Sequence, residues 1–131
     1  QQKRKGKITV GNETILLIDD ELEILKLGKE MLQKFGYQVI IAETGEDGIN
    51  KYAHNTVDLV ILDIGMPGMG GIKCLQQLLS IDRKARVLIS SGYSVNGRVE
   101  KALALGVKAF LAKPYTINEL LEIMQAVLNG D

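Results

Sequence analysis

The 131-residue chain has a single cysteine, no tryptophan, no excess of charge of either sign and no long apolar run. The lone Cys74 cannot close an internal disulfide, which fits a reducing compartment and sets the expectation of a cytoplasmic protein. Sixteen Lys and Arg balance sixteen Asp and Glu, so no overall positive field draws the chain to nucleic acid or to an anionic membrane surface. Apolar runs stop at about four or five residues, against the roughly 18 needed to cross a bilayer, and no signal-peptide pattern opens the chain. Neither direct nucleic-acid binding nor membrane insertion is expected.

What remains is a composition suited to one folded core. Apolar residues make up 46% and charged residues 24%, too apolar for a disordered chain. Gln1 to Gly11 (QQKRKGKITVG) opens without Met, carries several basic residues and shows no sustained period. Residues 1–13 therefore read as a linker or fragment end and 14–131 as the domain. The expectation is a module excised from something longer.

From Thr14 onward short β-branched runs alternate with segments of helical period, the pattern of successive βα units feeding a parallel sheet. The strand candidates are Ile15 to Ile18, Gln38 to Ala42, Leu59 to Leu62, Val87 to Ser90 and Ala109 to Ala112, most of them apolar throughout, as strands covered on both faces should be. Glu21 to Phe35 places Ile24, Gly28, Met31 and Phe35 on one helical face and stops at Gly36. Thr44 to Asp47 opens a second helix, Ile72 to Ser80 and Val95 to Leu105 supply two more, and Thr116 with Glu119 forms a capping box before the last. The predicted fold is α/β: a flavodoxin-like (βα)5 doubly wound sheet, five parallel strands in the order 2-1-3-4-5 with helices on both faces.

Such sheets place their sites outside the carboxyl ends of the strands. Asp19, Asp20 and Glu21 follow the first strand, Asp63 the third, Ser91 the fourth, and Lys113 with Pro114 the fifth. At 4 Å each like-charged pair among clustered carboxylates costs on the order of 4 kcal/mol at an effective dielectric of 20, so something positive must compensate. A hard divalent cation does so, and Mg²⁺ is commonly held by one or two carboxylates with waters and phosphate oxygens. With a metal and the Lys113 ammonium beside it, Asp63 has what a carboxylate nucleophile needs to attack phosphorus. Ser91 could then hydrogen-bond one phosphoryl oxygen.

The segments Ile18-Asp19-Asp20-Glu21, Leu62-Asp63-Ile64-Gly65-Met66-Pro67-Gly68-Met69, Ser91-Gly92 and Phe110-Leu111-Ala112-Lys113-Pro114 together resemble the receiver domain of two-component response regulators. The likeness runs from about Thr14 to Leu128. It implies that Asp63 accepts a phosphoryl group from the phosphohistidine of a histidine kinase or phosphotransfer domain, and that the domain catalyses its own modification. It also implies Mg²⁺ on Asp20, Asp63 and the Gly65 backbone carbonyl, with Asp19 acting through water, a cis bond between Lys113 and Pro114, and a switch pair of Ser91 and Phe110. The switch would repack the face of the fourth helix, fifth strand and fifth helix, which is also the candidate dimer surface. Gly70 departs from a commoner Asp, and Gly65 offers no side chain beside the phosphoryl site. In this family the side chains at Gly65 and Tyr93 flank the path of attacking water.

Other readings stand beside this one. Asp19 and Asp20 could serve only the positive end of the following helix, for roughly 0.3–1 kcal/mol each. The glycines at 65, 68, 70 and 71 match neither the dinucleotide nor the Walker pattern and read as turn formers. His54 reads as exposed and Cys74 as core. An aspartyl phosphatase would want a second Asp where Gly65 stands, and a flavodoxin-type carrier would face repulsion between its phosphate and the acids. Between a receiver attached to a hybrid sensor histidine kinase and a free-standing response regulator, the opening Gly11 to Glu21 segment and the Ser90 to Ser94 segment favour the hybrid kinase by resemblance.

Overall fold

The computed structural model describes residues 11–66, 70–92 and 98–130. Residues 1–10 of the expected 1–13 linker, the Pro67-Gly68-Met69 part of the Leu62 to Met69 segment, Tyr93, Ser94, the predicted helix start at 95–97 and Asp131 lie outside these residues.

Five strands, β1 (Thr14–Ile18), β2 (Gln38–Ala42), β3 (Leu59–Asp63), β4 (Val87–Ser91) and β5 (Ala109–Ala112), alternate with helices α1 (Leu22–Gln33), α2 (Gly45–His54), α3 (Gly71–Ile81), α4 (Arg98–Ala104) and α5 (Ile117–Leu128). Among the described residues all strand pairs are parallel, in the predicted order β2-β1-β3-β4-β5. Alternation along the strands divides the core into two layers. Leu16, Ile18, Val60, Leu62, Val87 and Ile89 pack with Cys74, Leu75 and Leu78 of α3. Ile15, Leu17, Leu59, Ile61, Leu88 and Leu111 pack with Leu25 and Leu32 of α1 and with Leu120, Leu121, Met124 and Val127 of α5. Cys74 is fully buried in the first layer, and burial pushes its thiol up to about 12.

β3 and β4 each run one residue beyond the predicted end, to Asp63 and Ser91. The ladder explains this: Ile64 N–H donates to the Ser90 carbonyl at 3.0 Å and Lys113 N–H to the Ser91 carbonyl at 2.7 Å, so the polar residues stay in the sheet. α1 ends before the predicted Phe35 because its last turn tightens. Gly36 N–H donates to the Gln33 carbonyl and Tyr37 N–H to the Leu32 carbonyl, a Schellman ending around Gly36 at φ 94°. The Thr116 capping box is present in both directions, with Thr116 N–H donating to Glu119 Oε1 at 2.8 Å and Glu119 N–H to Thr116 Oγ1 at 3.1 Å.

Turn geometry accounts for Gly70, whose φ of 83° and ψ of 156° fall in a region open essentially to glycine. Gly71 is fixed by packing instead, since a Cβ there would collide with the Ile64 backbone. Gly65 needs neither explanation. His54 is exposed, its Nδ1 2.8 Å from the Asn50 carbonyl oxygen.

Candidate phosphoacceptor and metal site

Two strands deliver the acidic cluster, and a third supplies its lysine. β1 ends at Ile18, so Asp19 emerges at the carboxyl end of the sheet, anchored by its own N–H donating to the Ala42 carbonyl at 3.1 Å. β3 ends on Asp63, one strand over. One carboxylate oxygen of each of Asp19, Asp20 and Asp63 lies within 4.8 Å of the others. Asp19 and Asp63 are buried, at 5% and 7% exposure, whereas Asp20 is exposed.

Lys113 reaches this cluster from just past the end of β5, and the Lys113–Pro114 bond that follows it is cis. Its Nζ donates to Asp19 Oδ2 at 2.9 Å and lies 3.6 Å from Asp63 Oδ2. The remaining oxygens have backbone partners: Asp19 Oδ1 accepts from Glu21 N–H at 2.9 Å and Asp63 Oδ1 from Gly65 N–H at 3.0 Å.

The charges tell the two ion-pair partners apart. Burial pushes the Asp63 carboxyl above its ordinary value, and the Asp19 and Asp20 charges push the same way, against the lowering effects of the Gly65 amide and Lys113. Burial alone would lower the Lys113 ammonium, but the hydrogen bond from Lys113 to Asp19 and the charges of Asp19 and Asp63 outweigh it and hold it above its usual range. Among the described residues Lys113 thus pairs with both Asp19 and Asp63, and its charge does not offset the burial of Asp63.

That donor set fits a hard divalent ion. An octahedral Mg²⁺ with oxygens at about 2.0–2.1 Å places opposite ligands about 4.2 Å apart, so the acidic cluster is at most slightly wider than one coordination shell. At Gly65 a Cβ would stand 3.6 Å from Asp63 Oδ1, so the glycine leaves space directly beside this carboxylate.

Ser91 lies one position past the Asp63–Ser90 register pair and is fully buried. Its Oγ has no hydrogen-bond partner among the described residues. Phe110 is not in the acidic cluster. It pairs with Ile89 in β4, on the layer of α3, and is partly buried there. Two further residues escaped sequence reasoning. Tyr115, just past the cis bond, is half-buried, and its hydroxyl is raised by burial, lowered by Lys113 and raised again by Asp19 and Asp63. Ser90 is buried in β4 at 2% exposure. Neither stands out in the sequence, because membership of the site depends on which way each strand-end residue faces.

The response regulator receiver domain family matches residues 15–125. The chemotaxis protein CheY of Bacillus subtilis (strain 168) is 35% identical over 116 residues, which cover 88% of this chain and 97% of that one. Sporulation initiation phosphotransferase F of the same strain is 34% identical over 117 residues, covering 89% and 94%. Among solved structures, the response regulator protein TrrA of Thermotoga maritima in complex with Mg²⁺–BeF is similar with a TM-score of 0.79 and 32% identity, covering 88% of this chain and 98% of that one.

Proposed function

The chain belongs to the response regulator receiver domain family of two-component signalling, and from that membership we propose that Asp63 accepts a phosphoryl group from a phosphohistidine with Mg²⁺ in the acidic cluster. The observation that carries this reading is Lys113 Nζ set between Asp19 and Asp63 while three carboxylates converge. In the transfer, an Asp63 carboxylate oxygen forms a bond to phosphorus as the donor's P–N bond breaks, and the electron pair leaves on the donor imidazole nitrogen.

Each neighbour has a role in that step. Asp20, Asp63 and the Gly65 carbonyl would hold Mg²⁺ directly and Asp19 through water. The ion, once bound, neutralises the carboxylates and the incoming phosphoryl oxygens. Lys113 pairs with one phosphoryl oxygen. Ser91 donates its hydroxyl to another, which gives a partner to a buried group that has none among the described residues. Movement of Ser91 then draws Phe110 inward and repacks the face of α4, β5 and α5. Leu103 in α4 and Leu105 just past it, 51% and 37% exposed, are apolar side chains open to a dimer contact.

The donor is a histidine kinase or phosphotransfer domain, and α1 offers it a seat. Ile24, Leu27, Gly28 and Met31 follow helix–helix seam spacing and wall an apolar groove of about 520 Å³ that also reaches Gly92, Lys113 and Tyr115. Leu27 is 58% exposed. A phosphohistidine-bearing helix laid in this groove would sit directly beside Lys113. We assign residues 14–131 to the receiver and 1–13 to a linker, place the reaction in the cytoplasm, and favour a hybrid sensor histidine kinase as the parent over a free-standing regulator. No helix among the described residues is long and apolar enough to cross a membrane.

Incubation with acetyl phosphate and Mg²⁺ followed by intact mass measurement tests the reading. The wild type should gain one phosphoryl group and Asp63→Ala none. An unmodified wild type, or equal modification of the variant, would sink it.

A further inference from the structure

Ser90 is a polar residue at a position where core packing asks for an apolar one. It pairs with Asp63 on one side and Leu111 on the other. Alternation from Leu88 turns its side chain toward the layer of α1 and α5. On that side, between the sheet and α1, lies a cavity of about 30 Å³ whose walls include Leu17, Asp19, Ile61, Ser90 and Tyr115. It is far smaller than the large outer groove, with which it shares Ile24, Gly28, Tyr115 and Leu120.

A cavity of roughly 10–15 Å³ admits one water if two to four polar groups can hold it. This one has the room, and Ser90, Asp19 and Tyr115 are polar residues among those that line it. Asp19 also has capacity left. An ionised carboxylate offers about four lone-pair sites, of which Glu21 N–H and Lys113 Nζ each take one.

We propose that Ser90 and Tyr115 hold one internal water beneath Asp19, and that this water fixes the Asp19 carboxylate in the orientation that faces Lys113 and the acidic cluster. Ser90 is thereby a positioning residue, acting on the metal site only through Asp19. The second half of the proposal rests on the reading of the cluster as a Mg²⁺ site given above; the first half does not.

High-resolution crystals of the metal-free protein decide the water. One ordered solvent molecule within hydrogen-bond distance of Ser90 Oγ and Asp19 is expected, and a dry cavity overturns the proposal. Calorimetric Mg²⁺ titration of two isosteric variants decides the positioning role. Ser90→Val should weaken Mg²⁺ binding about tenfold, in the range seen when outer-shell partners of metal ligands are lost, while Ser90→Thr keeps wild-type affinity. Equal affinities for the two variants overturn it. Should either variant fail to fold, Tyr115→Phe removes the other hydroxyl from a half-buried site: weaker Mg²⁺ binding supports the proposal, and unchanged affinity overturns it. A wild type that takes up no Mg²⁺ overturns the reading of the cluster and the positioning role with it, while the density in metal-free crystals still decides the water.

Discussion

Replacing Asp63 by Asn should make the metal-free protein more stable while abolishing phosphoryl uptake. At an effective dielectric of about 20, the attraction between Lys113 and Asp63 at 3.6 Å is roughly 5 kcal/mol. The repulsion between Asp19 and Asp63, no more than 4.8 Å apart, is at least roughly 3.5 kcal/mol, so the two largely cancel. Burial of the Asp63 charge then decides the sign, and it is the largest cause of the raised carboxyl pKa. Such burial costs several kcal/mol even after relaxation, and the Gly65 N–H bond offsets only part of it. Asn keeps an acceptor for that N–H and drops the charge, for an expected gain on the order of 1–2 kcal/mol, or about 3–8 °C in Tm for a domain of this size.

The pH dependence carries the same sign. Because the folded pKa of Asp63 lies above its unfolded value, the penalty of ionising it is complete above the folded pKa. It shrinks as pH falls through that value and is gone below the unfolded value of about 3.9. The advantage of Asp63→Asn over wild type, measured by thermal denaturation without metal, should therefore be largest near neutral pH and narrow on acidification. Added Mg²⁺ should raise the Tm of wild type more than that of the variant. A variant less stable than wild type at pH 7, or an advantage that widens in acid, would refute this reasoning.

Lys113→Met leaves Asp19 and Asp63 without the ammonium that pairs with both. Urea denaturation should show a loss of about 1–3 kcal/mol, discounted for the partial exposure of the lysine, and phosphoryl uptake should fall sharply. Thr116→Ala removes the capping box of α5 and should cost about 1 kcal/mol in the same assay with no effect on uptake. Gly71→Ala forces a Cβ into the Ile64 backbone just past Asp63, and a loss of about 1–3 kcal/mol with slower uptake is expected. Chelation of divalent ions with EDTA should stop phosphorylation of the wild type in an intact-mass assay without unfolding it.

The sheet could be read from sequence because its strands are short apolar runs that end abruptly in polar residues, and that contrast marks both the strand and its site-bearing end. Asp19, Asp63 and Lys113 were visible for this reason, and parallel topology then brings them together. The capping box at Thr116 was equally plain, since both partners are local. Polar strand ends were harder. Asp63 and Ser91 look like loop residues, yet backbone bonds from the neighbouring strand keep them in the ladder. Ser90 and Tyr115 were missed because their place beside Asp19 depends on side-chain direction, which no run of hydrophobicity reports. The glycines at 65 and 71 look alike in sequence, but one leaves space beside a carboxylate and the other lets two backbones touch.

The central claim is that Asp63, with Mg²⁺, carries a phosphoryl group. Phosphorus NMR of the protein with phosphoramidate and Mg²⁺ tests it most directly. A protein-bound acyl phosphate signal that hydroxylamine removes and that Asp63→Asn never shows is the predicted result. No protein-bound signal in the wild type, or one that persists in the variant, would contradict the account.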